Sequence, residues 1–229
     1  RRGTCAGNLV SEHVLTPQDG ADMAPTGSTS DVRRGAAIRR RSAVERRSLL
    51  LDRLEEIFLA EGFSSLTIDD LCRRLNCSKT TLYSVADSRE QIIQAVTRHF
   101  FARATATIER EVEDEKDAAR RVVRYLAGVG TAMRRNSIAF YVDMVSYEPT
   151  ASIYRLNSDA AAARVRSFIE EGVATGEFRR ANAGLAGQAV ALLIEGVQSG
   201  ELLERTSLTA GEAFSELGEL IVNGLSVRD

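Results

Sequence analysis

The sequence predicts an all-α protein, and three features of its residue order support this. Only three of its 229 residues are proline, and two of these, Pro17 and Pro25, precede the region in which helical patterns begin. From about residue 45 to the end, apolar residues recur at spacings of three and four, the period of an amphipathic helix. Runs of alternating β-branched residues between turn signals, the pattern typical of strands, do not occur.

The composition is that of a soluble globular protein, with 44% hydrophobic and 27% charged residues. No apolar run approaches the roughly 20 residues that cross a bilayer, and the sequence does not open with a hydrophobic signal segment. The three cysteines, Cys5, Cys72 and Cys77, are too few and too unevenly spaced for a disulfide framework. We therefore expect a cytoplasmic protein.

Residues 1–44 are expected to form a disordered tail that ends in a basic arm. The first part, residues 1–32, is rich in Gly, Ser, Thr and Pro and has no hydrophobic period. Residues 33–47, RRGAAIRRRSAVERR, contain seven arginines and one acid, a local net charge of 7 − 1 = +6. Such a run is either a solvated arm or a phosphate-binding one, and its place directly before the next pattern favours phosphate contact.

Residues 45–93 are predicted to form three short helices. Leu54 and Phe58 lie on one face of the first, and Gly62 ends it in the position where a left-handed residue commonly closes a helix. The segment TIDDLCRRLNCSKTTLY at residues 67–83 then contains two helical patterns joined by only three residues, LNC. Two such small helices rarely serve a core, but they suit a surface that presents one short helix to a groove.

Capping residues define the two helices within this segment. Thr67 is the predicted N-cap of the second helix, and Asp69 and Asp70 suit its positive first turn. Asn76 lies in the connecting turn, where Asn is the non-glycine residue best suited to a left-handed conformation. Ser78 is the predicted N-cap of the third helix. This is the order of a helix-turn-helix module, whose first two helices support a third that faces the major groove of DNA.

Residues 57–92, IFLAEGFSSLTIDDLCRRLNCSKTTLYSVADSREQI, resemble the DNA-binding segment of the tetracycline-repressor (TetR) family. The positions that agree with the family pattern are Phe58, Gly62, Phe63, Thr67, Leu71, Ser78, Leu82, Tyr83, Ser88 and Glu90. Val85 and Ala86 depart from it, because the family commonly has His and Phe there, a phosphate donor and a packing ring.

The resemblance implies a role for the polar residues of this segment. It implies that Thr67, Ser78, Tyr83 and Arg89 contact the DNA backbone, and that Lys79, Thr80 and Thr81 lie nearest the base edges. Arg40 and Arg41, in the basic arm, would reach phosphates or a neighbouring groove. The alternative interpretation is that Thr67 and Ser78 are only helix caps and that Tyr83 is a half-buried core residue.

Residues 94–229 are predicted to form a larger helical domain. The expected helices of the chain from residue 88 onward lie at about 88–113, 117–134, 137–147, 151–172, 184–204 and 209–226. The resemblance implies that this domain binds a small-molecule effector and forms a homodimer. The candidate ligand contacts are large side chains of the middle helices: Tyr125, Phe140, Met144, Tyr147 and Phe168. For each of them, packing in the core is the alternative.

The last two predicted helices are the candidate dimer interface. Leu192 and Gly196 lie on the first of them, and Phe214, Leu217 and Ile221 follow at helical spacing on the second. Two such helices and their symmetry mates would form a four-helix interface with an apolar centre. A core within one chain is the alternative.

No catalytic constellation accompanies these helices. The only two histidines are His13 and His99, and neither a glycine-rich phosphate loop nor a zinc-type His/Cys spacing occurs. We expect no cofactor and no metal, and Cys72 and Cys77 are interpreted as structural thiols. The sequence predicts a ligand-responsive transcriptional regulator: a repressor that binds a near-palindromic double-stranded DNA operator as a dimer and is released by a small molecule. The alternative is a helical protein-interaction module with a vestigial helix-turn-helix, whereas an enzyme is a remote possibility.

Overall fold

The computed structural model describes the backbone of residues 29–227 and the side chains of residues 44–209 and 212–227. Ten helices lie in this part of the chain: α1 (Thr29–Glu61), α2 (Ile68–Leu75), α3 (Lys79–Leu82), α4 (Arg89–Val112), α5 (Ala118–Met133), α6 (Ile138–Ser146), α7 (Glu148–Thr175), α8 (Ala183–Gln198), α9 (Glu201–Thr206) and α10 (Ala210–Leu225). Among the same residues, the one β-type pairing is an isolated bridge between Phe178 and Ser226. The all-α prediction is therefore confirmed.

The first helix begins earlier than the sequence predicts. We expected a tail without regular structure to residue 44, but α1 starts at Thr29. The physical reason is that the basic run at 33–47 consists mainly of Arg and Ala, which are strong helix formers, and contains no proline. The predicted disorder of residues 1–28 lies outside the described residues, as do the side chains of Arg40 and Arg41.

Residues 43–229 form one compact unit, and the buried side chains that the structure describes all belong to it. Within it, one core cluster joins the helix-turn-helix to the helices that follow. Phe58 of α1, Leu82 of α3 and Ile92 of α4 are buried there together with Phe140 of α6. The helix-turn-helix is thus not a separate globular unit, because it shares its apolar core with α6.

The predicted caps of the helix-turn-helix are confirmed. Thr67 caps α2 through a reciprocal capping box with Asp70, and Ser78 caps α3 through its hydroxyl. Asn76, with φ of +50°, occupies the left-handed turn between them. Ser88 starts α4 in the same way, by accepting a hydrogen bond from the N–H of Gln91. Local sequence alone specifies these ends, and they fix where α3 stands.

A second core cluster holds the remaining helices together. Leu126 of α5, Phe168 of α7, Ile194 of α8 and Phe214 of α10 are buried in it. The backbone of α5 approaches α10 so closely that a Cβ placed on Gly130 would lie 3.0 Å from the Cβ of Phe214. The absence of a side chain at this glycine therefore allows α10 to lie directly on α5.

From residue 88 onward, most predicted helix ends lie within one residue of those in the structure, while α7 extends three residues beyond its predicted range at each end. The sequence suggested a single helix over residues 184–204, whereas α8 ends at Gln198 and α9 begins at Glu201. Gly200 lies between them with φ of +82°, a left-handed conformation that glycine adopts without strain and that interrupts a helix. None of the helices in the described part of the chain is both long enough and apolar enough to cross a bilayer.

Candidate nucleic-acid interface and ligand cavity

The outer side of α3 is the candidate DNA-reading surface. Leu82 is fully buried and anchors the helix, while Lys79, Thr80 and Thr81 are exposed. Tyr83 directly follows the helix and is 39% exposed, which places its ring at the protein surface. The structure therefore brings the residues predicted to lie nearest the base edges together on one solvent-facing side.

The Lys79 side chain is held against the start of α2. Its Nζ lies 2.8 Å from Oδ1 of Asp69, and both side chains are largely exposed. The hydrogen bond and the negative charge of Asp69 raise the pKa of the Lys79 ammonium above its usual value. The only cation of α3 is thus already paired in the free protein.

Thr67 and Ser78 use their polar groups within the protein. The Thr67 N–H donates to Oδ2 of Asp70 at 3.1 Å, and its hydroxyl donates to the same oxygen at 2.5 Å. Oγ of Ser78 accepts from the N–H of Thr81 at 3.1 Å. Both residues are therefore caps, as the alternative interpretation had it, and their contact with DNA stays a prediction.

Arg89 binds protein carbonyl groups. Its Nη2 donates to the carbonyl oxygen of Phe63 at 2.7 Å and to that of Ser64 at 3.2 Å, and its Nε donates to that of Leu66 at 3.1 Å. The guanidinium thus ties the start of α4 to the loop between α1 and α2. Its Nε and Nη2 are thus used within the protein, and a phosphate contact by Arg89 also stays a prediction.

Val85 is buried where the related family has a phosphate-donating histidine, and an arginine lies on its carbonyl group. Nη2 of Arg47 donates to the Val85 carbonyl oxygen at 3.0 Å. Sequence reasoning counted Arg47 in the basic run but assigned it no role. No local pattern could have paired the two residues, because they lie 38 positions apart in the sequence.

A carboxylate of α6 is bonded to the loop between α1 and α2. Oδ2 of Asp143 accepts hydrogen bonds from the N–H of Phe63 at 2.6 Å and from that of Ser64 at 2.8 Å. The preceding Gly62 has φ of +79°, and a Cβ on it would lie 2.5 Å from the same oxygen. Because the loop precedes α2, any shift of α6 acts on the helix-turn-helix through this contact.

Three of the predicted ligand contacts lie in the core cluster around this link. Phe140 and Met144 are fully buried, and the rings of Phe63 and Tyr147 lie 6.1 Å apart. Phe140 itself packs edge-on against Phe63 at 6.2 Å. Phe140, Met144 and Tyr147 do not line the cavity described below, and their contact with a ligand stays a prediction. The periodicity identified an apolar face of α6, but that face packs against the helix-turn-helix.

A cavity of about 220 Å³ lies between α4, α5, α7 and α8. Of the predicted ligand contacts, Tyr125 lines it, whereas Phe168 lies behind Tyr125 with the ring centroids 5.8 Å apart. Sequence reasoning missed its polar lining residues Glu109 and Arg164. They are 55 positions apart, so no local pattern could have paired them.

The predicted dimer contacts separate into two groups. Phe214 and Leu217 are buried against α5 within the chain, as the alternative of a core within one chain has it, and their place in a dimer interface stays a prediction. Leu192 is 61% exposed, and Gly196 and Ile221 are partly exposed. The apolar face of α10 that the sequence predicts is covered by the protein's own α5, and Leu192 on α8 stays available to a partner.

The histidine and the described cysteines have structural surroundings. Nε2 of His99 lies 2.8 Å from Oδ1 of Asp52, which satisfies the ring between α4 and α1. Cys72 and Cys77 are free and half-buried, and burial raises the pKa of the Cys77 thiol. Among the described residues, no group of three or more His, Cys, Asp or Glu side chains could bind a metal ion.

Comparisons with known proteins agree with this architecture. The model of the family "Bacterial regulatory proteins, tetR family" matches residues 50–96. No curated protein gives a significant sequence match. Solved structures do match, and in each of those named here the chain covers nearly the whole of the other protein.

Three of these structures illustrate the similarity. A protein from Rhodococcus sp. assigned to the TetR family is 21% identical, with a TM-score of 0.64, over 79% of this chain and 98% of that one. A TetR transcription regulator from Haloarcula marismortui is 12% identical, with a TM-score of 0.67, over 80% of this chain and 100% of that one. A protein from Saccharomonospora viridis, described as a transcriptional regulator and solved in complex with choline, is 18% identical, with a TM-score of 0.67, over 81% and 100%.

At these identities the solved structures show a similarity of fold, and the family model shows a similarity of sequence in the helix-turn-helix. Residues 50–96 therefore match the N-terminal domain of the TetR family of bacterial regulatory proteins, and the chain shares an all-α fold with the solved regulators over most of its length.

Proposed function

We propose that the protein is a homodimeric repressor of transcription in the cytoplasm, released from its DNA operator by a small-molecule effector. Residues 45–93 form the DNA-reading domain, and residues 94–229 bind the effector and form the dimer. The observation that carries the proposal is the outer side of α3, where Lys79 and Thr80 are exposed on a helix that Leu82 anchors in the core.

The chemistry of this side suits DNA. Lys79 is the one cation on α3, and hydroxyl groups of Thr80 and Tyr83 are donors and acceptors of the kind used at phosphates and base edges. Exposed Arg47 adds a second cation near the loop after α3. Each subunit would insert α3 into the major groove at one half-site of a near-palindrome.

Exposed leucines on α8 and α10 support the dimer. Leu192 on α8 is 61% exposed and Leu220 on α10 is 69% exposed. Large apolar side chains exposed on neighbouring helices are the usual mark of an interface between subunits. With its symmetry mate, this pair of helices forms the four-helix contact that sets the distance between the two DNA-reading domains.

The cavity and the Asp143 link support release by an effector. The cavity opens between α4, α5, α7 and α8, and α4 also carries Arg89, which holds the loop before α2. A ligand that binds better when α4 and α6 have shifted favours a spacing of the two domains that no longer fits the operator. The Saccharomonospora viridis structure contains choline, which supports a small molecule as the effector here.

Selection of bound fragments from the source genome, followed by sequencing, tests the proposal. We expect a near-palindromic sequence to be enriched. Its affinity, measured by fluorescence anisotropy, should fall steeply as salt is added. The double variant Lys79→Ala plus Tyr83→Phe should weaken binding by about ten- to a hundredfold, since each lost contact is worth about 1 kcal/mol.

The chain offers a matched control for the charge. Lys116 is its only other lysine and lies in the loop between α4 and α5, so Lys116→Ala removes the same charge away from α3. It should leave operator affinity within about twofold. Binding without any sequence preference, equally weakened by both variants, would contradict the proposal and favour the alternative, a protein-interaction module with a vestigial helix-turn-helix.

A further inference from the structure

The cavity in the helical domain has mainly apolar walls. Phe101, Ile108, Val129 and Ile194 contribute to them from α4, α5 and α8. Its volume is about 220 Å³. Since a water molecule in the liquid occupies ~30 Å³, this space suits a molecule with on the order of ten non-hydrogen atoms. An apolar cavity of this size favours a compact organic ligand over a polar, extended one.

One polar group in the wall has no partner in the protein. Tyr125 lines the cavity with only 5% of its surface exposed, and its hydroxyl makes no hydrogen bond to any residue that the structure describes. Burial and the nearby charge of Glu109 raise the Tyr125 pKa to about 12, so the hydroxyl keeps its proton at neutral pH. The hydroxyl is not one of the fully enclosed side-chain atoms without a partner in the described part of the chain, so it is open to the cavity and can donate to an acceptor atom of a ligand there.

The charged groups of the wall, in contrast, are paired. The Glu109 carboxylate accepts hydrogen bonds from Nε of Arg164 at 3.0 and 3.2 Å and from Nη2 at 2.9 Å. The Arg164 guanidinium also lies over the Phe168 ring, 4.3 Å from its centroid. The two charges neutralise each other at the cavity wall, so neither is left to compensate a charged ligand.

Two other polar side chains of the wall make hydrogen bonds within the protein. Oε1 of Gln198 accepts from the Tyr154 hydroxyl, and Nδ2 of Asn157 donates to the carbonyl oxygen of Ile153 at 2.7 Å. Thr105, Ser158 and Gln198 are more exposed than Tyr125, which is buried, so the Tyr125 hydroxyl is the donor of the wall that depends most on a ligand for an acceptor.

We infer that the cavity binds an uncharged, mainly apolar molecule of on the order of ten non-hydrogen atoms, whose single oxygen acceptor receives a hydrogen bond from Tyr125. A carboxylate or an ammonium group would lose its hydration without gaining a counter-charge, because Glu109 and Arg164 already satisfy each other. The inference rests on the proposed function only in making this molecule the effector.

Isothermal titration calorimetry on the full chain, without DNA, tests the inference with four probes of similar size. Acetophenone is neutral and has one carbonyl oxygen, ethylbenzene has no oxygen, benzoate is an anion and benzylammonium is a cation. We expect acetophenone to bind about three- to tenfold more tightly than ethylbenzene, the worth of one net hydrogen bond. Benzoate and benzylammonium should bind at least about tenfold more weakly than acetophenone.

The variant Tyr125→Phe removes the hydroxyl and keeps the ring that packs on Phe168. Acetophenone should then bind no better than ethylbenzene, while ethylbenzene binding is unchanged. Tyr147→Phe is the matched control, because Tyr147 packs against Phe63 away from the cavity. It should retain the full preference for acetophenone.

Several results would overturn the inference. Equal affinity of the parent protein for acetophenone and ethylbenzene would show that Tyr125 gives no hydrogen bond to the ligand. If benzoate bound most tightly and Arg164→Gln abolished that binding, the cavity would be a site for anions. An enriched operator together with no binding of acetophenone would overturn this inference alone. Tyr125-dependent binding of acetophenone with no operator would instead contradict the proposed function and leave the chemistry of the cavity standing.

Discussion

Removal of the Asp143 carboxylate should separate α6 from the loop that precedes α2. In Asp143→Ala two hydrogen bonds are lost, from the N–H of Phe63 at 2.6 Å and of Ser64 at 2.8 Å. A hydrogen bond to a charged group contributes about 1.5–3 kcal/mol, and an exposed N–H such as that of Ser64 can return to water at little cost. We therefore expect the free energy of unfolding to fall by about 2–4 kcal/mol.

Thermal unfolding measures this loss. For a chain of this length each kcal/mol lowers the midpoint by about 2–4 °C, so the decrease should be on the order of 10 °C. Both hydrogen bonds of Asp143 end on the same oxygen, Oδ2. Asp143→Asn can present its amide oxygen there and loses only the charge, so it should cost about 1 kcal/mol.

The control is Asp159→Ala, because Asp159 is an exposed acid on α7 for which the described part of the chain shows no hydrogen bond or ion pair. Its effect should stay within about 0.5 kcal/mol. If Asp143→Ala unfolds at the temperature of this control, the contact is not made in solution. If Asp143→Ala is less stable but its operator affinity responds to the effector as in the parent protein, the contact does not couple α6 to the helix-turn-helix.

Three further predictions concern single groups. In thermal unfolding, Gly62→Ala should lower the free energy of unfolding by about 1–2 kcal/mol more than Gly176→Ala does. Both glycines have φ near +80°, but only at Gly62 would the new Cβ meet other atoms, the nearest at 2.5 Å. Equal losses of stability in the two variants would contradict the crowding at Gly62. The pKa of Tyr125 is about 12 in the folded protein and near 10 in the unfolded chain. Because the folded state holds this proton more tightly, the contribution of Tyr125 protonation to the free energy of unfolding is complete below pH 10 and is lost as the pH rises to 12. Unfolding of Tyr125→Phe should therefore depend less steeply on pH in this range, and an unchanged slope would contradict the assigned pKa. Asp69→Asn should free Lys79 and strengthen binding of non-operator DNA by about two- to fivefold, as an exposed ion pair is worth at most about 1 kcal/mol; unchanged anisotropy titrations would show that the ion pair has no effect on DNA binding.

The sequence predicts the local features of the fold well. The caps at Thr67 and Ser78 and the left-handed turn at Asn76 depend on neighbouring residues only, and all three are confirmed. The same holds for Gly62, which directly follows α1 with φ of +79°. Side-chain hydrogen bonding to nearby N–H groups and backbone sterics decide these ends, and both can be read from a few residues.

The partners of each helix face could not be predicted in this way. Periodicity identified apolar faces on α6 and α10, but it does not say what covers them, and the structure covers Phe140 with the helix-turn-helix and Phe214 with α5. Arg89 and Asp143 both bind the loop around Phe63 from more than 20 positions away in sequence. Such contacts depend on the packing of the whole chain and leave no local signal.

Two carboxylates at the start of α2 occupy groups that are predicted to contact DNA. Asp70 occupies the N–H and hydroxyl of Thr67, and Asp69 occupies the ammonium of Lys79. Thr67 and Lys79 are predicted to contact DNA, so under the proposed function a DNA strand would compete with carboxylates that are already in place. Fewer net counterions would then be released on contact with an arbitrary phosphate, and the affinity for non-operator DNA would depend less on salt than the number of cations suggests. A site that also offers matching base edges would have the advantage over the large excess of non-operator DNA.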